Sequence, residues 1–234
     1  MIEIRSLTEH KEFAEAVKLQ QAIWGFADVD LLPQRLFVVA SKIGGQVFGA
    51  FDGGRMVAFL LAIPGIKPGA KAFLHSHMLG VLPSHRDQGV GRLLKLQQRQ
   101  DALARRLDLV EWTFDPLETK NAFLNIERLG AVVKRFVRNQ YGITTSSLQN
   151  GLPTDRLTAE WWVESPRVRA VVAGKTPYRP LVVARISVPA VLSRPREIQE
   201  QVAVQFEECF AEGLMVTGFE RTPDAGTYLL SHEA

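Results

Sequence analysis

The first part of the chain shows hydrophobic patterns of both strand and helix. Residues 2–7 alternate as a strand does, and apolar residues recur at helical spacing over 13–24 and 36–43. Two apolar runs, 46–51 and 56–63, enclose an Asp-Gly-Gly turn and predict a β-hairpin. The pattern continues to about residue 142 with the predicted order β-α-α-β-β-β-α-β-α-β. Because this order mixes hairpins with helical crossovers, we expect an α/β (α+β) fold with a mixed central sheet flanked by helices.

The helix that follows the strand at 72–81 has several leucines on one side. Leu93, Leu96 and Leu103 recur at helical spacing within residues 93–107. The pattern predicts a helix with these residues on one side.

The pattern of hydrophobic and polar residues changes after residue 142. We predict a strand at 159–164, a basic loop at 167–180, a strand at 181–188, a helix at 193–212 and a final hairpin from 214 to 230. We therefore divide the chain into a core of residues 1–142 and a C-terminal extension of residues 143–234. The extension has the order β-α-β-β and is expected to pack on the core sheet or to extend it.

Composition narrows the classes of function. The chain has 234 residues, 46% of them hydrophobic, a formal charge of +3 and a single cysteine. One cysteine excludes an intramolecular disulfide and a multi-cysteine zinc site, and no apolar run approaches the ~20 residues of a membrane span. The early N-terminus is charged and lacks a signal-peptide apolar region. We expect a cytoplasmic protein that binds neither nucleic acid nor membrane, with a charge compatible with a small anionic ligand.

The segment RDQGVGR, residues 86–92, lies between a predicted strand and a predicted helix. Glycines allow a sharp turn and close approach of the backbone to a ligand, and the first amides of a helix are unpaired donors that favour an anion. Arg86 and Arg92 add positive charge. The segment is neither a Walker loop nor a dinucleotide fingerprint. The alternative is an ordinary tight connection without a ligand.

Three features of the sequence together resemble the GNAT N-acyltransferases. The segment RDQGVG matches that family's [RQ]-x-x-G-x-[GA] loop, and LGVLP at 79–83 is similar to the strand before it. The segment ERLGA at 127–131 is similar to the "EKLGF" that ends the last core helix of the family. The predicted order of elements is also the family's order. The resemblance covers about residues 1–142.

This resemblance implies an acyl-coenzyme A co-substrate, acetyl-CoA or another short acyl-CoA, and no metal. It implies that the pantetheine arm pairs with the backbone of Leu79 and Val81, that a β-bulge near Gly80 aims an amide at the thioester carbonyl, and that Asn121 reaches the coenzyme. The pyrophosphate is expected on the loop that Arg86 begins, formed by Asp87, Gln88, Gly89, Val90, Gly91 and Arg92.

Acylation of an amine requires a base, and two histidines are candidates. His75 lies where, by the resemblance, some family members carry a catalytic glutamate, and His77 lies two residues on, on the same strand face. Histidine can act as a base near neutral pH. Our hypothesis is that this pair supplies the base, with His75 first. The alternatives are a packed histidine or a substrate hydrogen bond, and a competing carboxylate, Asp115, which we interpret as the start of a turn.

The proton donor for the leaving thiolate is less defined. Many GNAT members have a tyrosine four residues before the glycine that ends the last core helix, and here that position is Ile126. Tyr141 is a candidate substitute, although it could equally be a packing residue at the rim. A thiolate can also leave without a strong acid.

We predict an N-acyltransferase that moves a short acyl group to a primary amine by direct attack. The acceptor could be a small-molecule amine or an amino acid, or a protein terminus or lysine. The small acceptor is favoured, since long loops and the extension would close a peptide groove. Alternatives are an N-succinyltransferase and a non-catalytic acyl-CoA-binding regulator on the same fold. Exposed sheet edges in the extension favour a homodimer. Succinyl transfer would use late basic residues, unless these form a solvated face: Arg167, Arg169, Lys175 and Arg179.

Overall fold

Helices and strands follow one another along the chain largely as the sequence predicts. The computed structural model describes residues 1–67, 69 and 71–233. They form two units, one of Met1–Val110 with Thr144–Gly151 and the other of Glu111–Ile143 with Leu152–Ala234. The division at residue 142, made from the change of pattern along the sequence, stays a prediction. None of the helices in the described residues is long and apolar enough to cross a membrane.

Unit 1 contains four antiparallel strands in the order β1-β2-β3-β4, together with three helices. Short 3-10 turns lie at Asp28–Asp30 and Pro83–His85. The elements of this unit are β1 Glu3–Ser6, α1 His10–Trp24, α2 Gln34–Lys42, β2 Gln46–Asp52, β3 Arg55–Ile66, β4 Ala72–Val81 and α3 Val90–Ala104.

The predicted hairpin is confirmed and fixes the register of β2 against β3. Asp52 pairs with Arg55 across a two-residue turn. Both glycines of the turn have positive φ, 55° at Gly53 and 82° at Gly54, a conformation that favours glycine. The strands place Phe59 and Leu60, both fully buried, in the core of the unit.

Helix α3 buries polar residues as well as a leucine on the side that faces the core. Leu93 is 43% exposed, whereas Leu94, Lys95 and Gln98 are buried. The predicted helix is present, and two polar residues lie on its core side.

Unit 2 contains strands in the order β5-β7-β6-β9-β10-β8. Neighbouring strands from β7 through β6, β9 and β10 to β8 pair antiparallel. A π-helical turn at Leu124–Arg128 continues the helix α4. The elements are β5 Leu109–Phe114, which begins in unit 1, α4 Thr119–Phe123, β6 Val132–Val137, β7 Arg156–Trp162, α5 Pro166–Val172, β8 Ala184–Pro189, α6 Pro195–Ala211, β9 Met215–Arg221 and β10 Ala225–Ser231.

The predicted β-α-β-β order of β8, α6, β9 and β10 is confirmed, but the basic loop predicted at 167–180 was wrong at its start. The short helix α5 begins there, with Ser165 as its cap accepting a hydrogen bond from the Val168 amide and Pro166 at its first position. Both features are ordinary helix-start signals. The arginines of the segment had suggested a solvated loop instead.

Candidate active site

The backbone between β4 and α3 turns through two left-handed residues. Asp87 has φ 60° and Gly89, which caps α3, has φ 81°. Helix geometry leaves the amides of Val90 and Gly91 in the first turn without an intrahelical acceptor. These donors and the helix dipole make the start of α3 suited to an anion.

The two glycines of this loop differ in what their surroundings require. A Cβ added at Gly89 would meet nothing within 4 Å, but the positive φ there would strain any other residue. A Cβ added at Gly91 would lie 3.5 Å from Leu79 and 3.8 Å from Val81, which are ordinary contacts. Packing in the described part of the chain therefore does not require glycine at 91, and close approach of a ligand remains a reason for it.

Arg86 has a different task from the one its charge suggested. Its Nε donates to the Val81 carbonyl and its Nη2 donates to the Ile23 carbonyl, each at 3.2 Å. The guanidinium thus ties the loop to the end of β4 and to the last turn of α1. The side-chain Nε2 of Gln88 donates to the Ser84 carbonyl at 2.9 Å and adds a second tie within the loop.

Strand β4 contains a β-bulge at His77. On the side of β3, Met78 pairs with Leu61 and Ser76 pairs with Ala62, so His77 is an extra residue between them. Gly80 pairs regularly with Phe59, and the bulge expected near Gly80 is therefore absent from this pairing. Gly80 is instead a packing residue, since a Cβ there would lie 2.6 Å from Trp24 and 2.8 Å from Ile23 of α1.

The bulge reverses the alternation of side chains along β4. Ser76 points to α3, where it contacts Lys95, and beyond the bulge Leu79 also lies on the α3 side, next to Gly91. The rings of His75 and His77 lie 5.7 Å apart, as expected for neighbours on one face. Bulges re-aim side chains in this way and are over-represented next to active sites.

His77 is largely enclosed, and burial lowers the pKa of its imidazole below the ordinary value of 6.5. The neutral ring, which can accept a proton, therefore dominates at neutral pH. Of the two histidines, His77 is the one that lies at the bulge, and its ring is also largely enclosed.

A buried polar network lies behind β4 and was not predicted. Lys95 of α3 is 4% exposed, and its Nζ donates to the Ser76 hydroxyl at 2.9 Å and to the Gln98 side-chain oxygen at 3.0 Å. Burial lowers the pKa of Lys95 well below its ordinary value. A signal was present in the sequence, because Lys95 and Gln98 are three residues apart on one side of α3.

Tyr141 belongs to unit 2 and lies near other polar groups of that unit. Its hydroxyl is 2.9 Å from the Thr113 hydroxyl, and the Arg156 guanidinium lies 5.8 Å from the centre of its ring. The side chain is 44% exposed. Asp115 accepts a hydrogen bond from the Leu117 amide at 2.8 Å, which fits the interpretation as a turn.

The last core helix presents few polar groups. Asn121 is exposed on α4, Asn125 is buried in the π-helical turn, and Ile126 is fully buried. Ile126 is thus a core residue at the position where the resemblance had pointed to a missing tyrosine.

The late arginines have partners within unit 2. Arg167 donates to the Thr217 carbonyl at 2.5 Å, and Arg179 pairs with Glu127 at 2.8 Å. Trp161 is buried and donates to the Leu129 carbonyl, whereas Trp162 is 43% exposed. These contacts give Arg167 and Arg179 structural roles.

Solved structures share this fold although their sequences are distant. The ribosomal-protein-S18-alanine N-acetyltransferase of Escherichia coli aligns with a TM-score of 0.55 at 21% identity, covering 70% of this chain and 96% of that chain. The putative acetyltransferase yncA of Salmonella typhimurium, solved with acetyl-CoA, gives 0.57 at 15%, covering 70% and 95%. Arabidopsis thaliana NAA60, in complex with a bisubstrate analogue, gives 0.57 at 13%, covering 69% and 98%.

The sequence itself matches no protein-family model and no curated protein. The class of the molecule therefore rests on its structure, and the chain has the fold of the GNAT acetyltransferases. The resemblance drawn from the RDQGVG loop is confirmed at the level of the fold.

Proposed function

We propose that this chain is an acyl-CoA-dependent N-acyltransferase that moves a short acyl group, acetyl in the first place, to a primary amine. One observation carries the proposal. On a GNAT fold, β4 leads through a left-handed glycine into a helix whose first amides have no intrahelical acceptor.

The residues at this loop fit the pyrophosphate of a coenzyme. The space beside Gly89 is open, and Gly91 makes no contact that demands glycine. We infer that the amides of residues 88–92 hold the pyrophosphate while Arg86 keeps the loop in place. The backbone of Leu79 and Val81 in β4 would hold the pantetheine arm, and the role of Asn121 stays a prediction.

Bound acyl-CoA supplies an acyl group that is activated as a thioester. In the proposed reaction, His77 accepts the proton of the attacking amine, either directly or through a water. Its lowered pKa keeps the ring neutral and ready for this task at neutral pH. His75, with its ring 5.7 Å away, is the second candidate.

The leaving thiolate needs little help from a protein acid. A thiol has an ordinary pKa of about 8.5, so the anion is a tolerable leaving group in water. Tyr141 remains a candidate proton donor, although its hydroxyl is engaged with the Thr113 hydroxyl. We give it the smaller role.

We propose a small amine or an amino acid as the acceptor. Within unit 1, residues 144–151 are tied to the loop after α1 and to the end of α1: the Thr145 amide and hydroxyl both donate to Asp30, and the Ser147 hydroxyl donates to the Trp24 carbonyl. These ties hold two loops together and would narrow an open peptide groove. Some proteins with this fold were solved with peptide ligands, such as the NatC complex bound to Gag peptide, so a peptide terminus is the competing acceptor.

A non-catalytic acyl-CoA-binding regulator is the second candidate. The observation that favours it is the buried Ile126 at the position of the usual tyrosine. Both candidates require the coenzyme site, and only the enzyme requires the histidines.

Two measurements test the proposal in sequence. The purified protein is heated with and without acetyl-CoA or succinyl-CoA, and specific binding should raise the unfolding midpoint through mass action. Release of coenzyme A thiol is then followed with small primary amines, amino acids and a peptide with a free terminus. A midpoint that neither coenzyme raises would exclude both candidates, and binding without turnover on any acceptor would favour the regulator.

A further inference from the structure

A fully enclosed lysine lies directly behind the bulged segment of β4. Lys95 is 4% exposed and Ser76, its partner on β4, is 5% exposed. The Nζ atom donates to the Ser76 hydroxyl at 2.9 Å. Ser76 is the residue between the two histidines, and its side chain points away from theirs.

The amine of Lys95 is itself held in place by a chain of hydrogen bonds. Gln98 accepts from Lys95 at 3.0 Å and donates to the Gln46 side-chain oxygen at 2.8 Å. Gln46 donates in turn to the Gln98 carbonyl at 3.1 Å and to the Asp101 carboxylate at 2.6 Å. The network therefore links α3, β2 and β4 through side chains that are almost entirely enclosed.

A buried lysine in this position is expected to contribute little to the stability of the fold. Removing an amine from water is unfavourable, and an apolar side chain of similar length would fill the space without that penalty. Satisfied polar networks in a core specify one arrangement of the elements that they join. Here that arrangement includes the point along β4 at which the alternation of side chains reverses.

We propose that Lys95 is a positioning residue for the acyl transfer, holding Ser76 so that the bulge forms at His77 and turns the His77 ring to the reacting amine. The role rests on the proposed function, since it is defined by the histidine that the reaction uses. A bulge can shift along a strand, because a register change of one residue moves each side chain to the other face. The bond from Lys95 to Ser76 fixes the last residue before the bulge.

The same helix also carries the proposed coenzyme site. Lys95 follows Val90 by five residues, roughly one and a half turns along α3. One rigid element thus holds both the amides for the pyrophosphate and the amine that positions the base. The distance between the coenzyme and His77 then depends on α3 rather than on a loop.

The test observes His77 directly and needs neither coenzyme nor acceptor. Long-range ¹H–¹⁵N spectra of the imidazoles are recorded across pH for the wild type, Lys95→Met, Ser76→Ala and the double variant. We expect the His77 signals to move and its titration midpoint to rise, since a loosened bulge gives the ring more water. Both single variants should have the same effect, and the double variant should add little to either.

Control variants distinguish the loss of a positioning residue from a general disturbance of the fold. Lys42→Met removes an exposed lysine of α2 and should leave His77 unchanged, and the signals of His10, His85 and His232 should stay in place in every variant. If Lys95→Met does not fold, Ser76→Ala carries the decision, because it removes the same bond without touching the lysine. Unmoved His77 signals, or equal changes at all five histidines, would overturn the role of Lys95.

A second measurement applies once an acceptor has been found. In Lys95→Met, kcat should fall roughly ten-fold to a hundred-fold while the KM for acetyl-CoA stays within a factor of about two, as expected for a misplaced base. An equal rise in that KM would make Lys95 a support of the coenzyme site instead. If no acceptor is ever acylated, the proposed function fails, and the imidazole spectra still decide whether Lys95 positions His77.

Discussion

The bulged segment lies in the middle of β4, the glycine loop follows the end of that strand, and the two owe their properties to different parts of the chain. The loop at residues 86–92 offers backbone amides, and Arg86 and Gln88 serve to hold its shape. The bulge at His77 offers side chains, which depend on the pairing of β4 with β3 and on a network behind the strand. We infer that the loop determines binding of the coenzyme and that the bulge determines the rate.

The largest expected effect comes from the bulge. His77→Ala should lower kcat by roughly 10²–10⁴, the usual contribution of a positioned general base, and leave the affinity for acetyl-CoA nearly unchanged. Steady-state kinetics with an accepted amine and calorimetric titration with acetyl-CoA measure the two quantities separately.

The pH profile sharpens this prediction. The base must be neutral to act, and burial lowers the pKa of His77, so the acidic limb of kcat in the wild type should fall below pH 6.5, the ordinary value. His75→Ala is the matched variant, since it removes the neighbouring imidazole from the same face. Should His75→Ala be the damaging change and His77→Ala harmless, the base would move to His75.

The second-largest effect comes from the loop, where a substitution should lower the affinity for the coenzyme instead of the rate. Gly91→Ala should weaken acetyl-CoA binding about ten-fold or more, because a methyl group obstructs close approach of the ligand to the backbone. Its folding stability should be equal or higher, since the new Cβ makes only ordinary contacts and alanine is the better helix residue. Calorimetry and chemical denaturation measure the two quantities.

Gly89→Ala is the control for the loop. It should lose roughly 1 kcal/mol of stability because of its positive φ, so its loss of binding would be less informative. Full affinity in Gly91→Ala would show that the coenzyme does not approach the backbone at this position.

The smallest expected effect concerns the proton donor. Tyr141→Phe should change kcat by less than about three-fold, since a thiolate leaves without a strong acid. Thr113→Val, which removes the hydroxyl that lies 2.9 Å from the tyrosine hydroxyl, should behave alike. A loss of ten-fold or more in Tyr141→Phe alone would identify the tyrosine as the acid.

The same contrast explains what could be predicted from the sequence. The loop was predictable because its glycines and the helix start are local features, and the hairpin at residues 52–54 was predictable for the same reason. The bulge was not, because it depends on the register between β3 and β4, which no short segment contains. The resemblance led us to expect it at Gly80, where α1 packs instead.

The network behind the bulge was missed for a related reason. Lysine and glutamine are ordinarily exposed, so the sequence alone gives no reason to place Lys95 and Gln98 in a core. Only the packing of α3 on the strands of unit 1 shows that both side chains are buried and bonded to each other. Helix α5 was missed although Ser165 and Pro166 gave a local start signal, because the basic residues after them suggested solvent.

Backbone amide spectra of the wild type, recorded while acetyl-CoA is added, test the central claim most directly. The account predicts that the largest shifts fall on residues 88–92, with smaller shifts at Leu79 and Val81 of β4, and that the amides around Arg138 and Glu200 of unit 2, an exposed ion pair remote in sequence, do not move. Saturable shifts elsewhere with none at Gly89 or Gly91 would contradict a coenzyme site at the glycine loop.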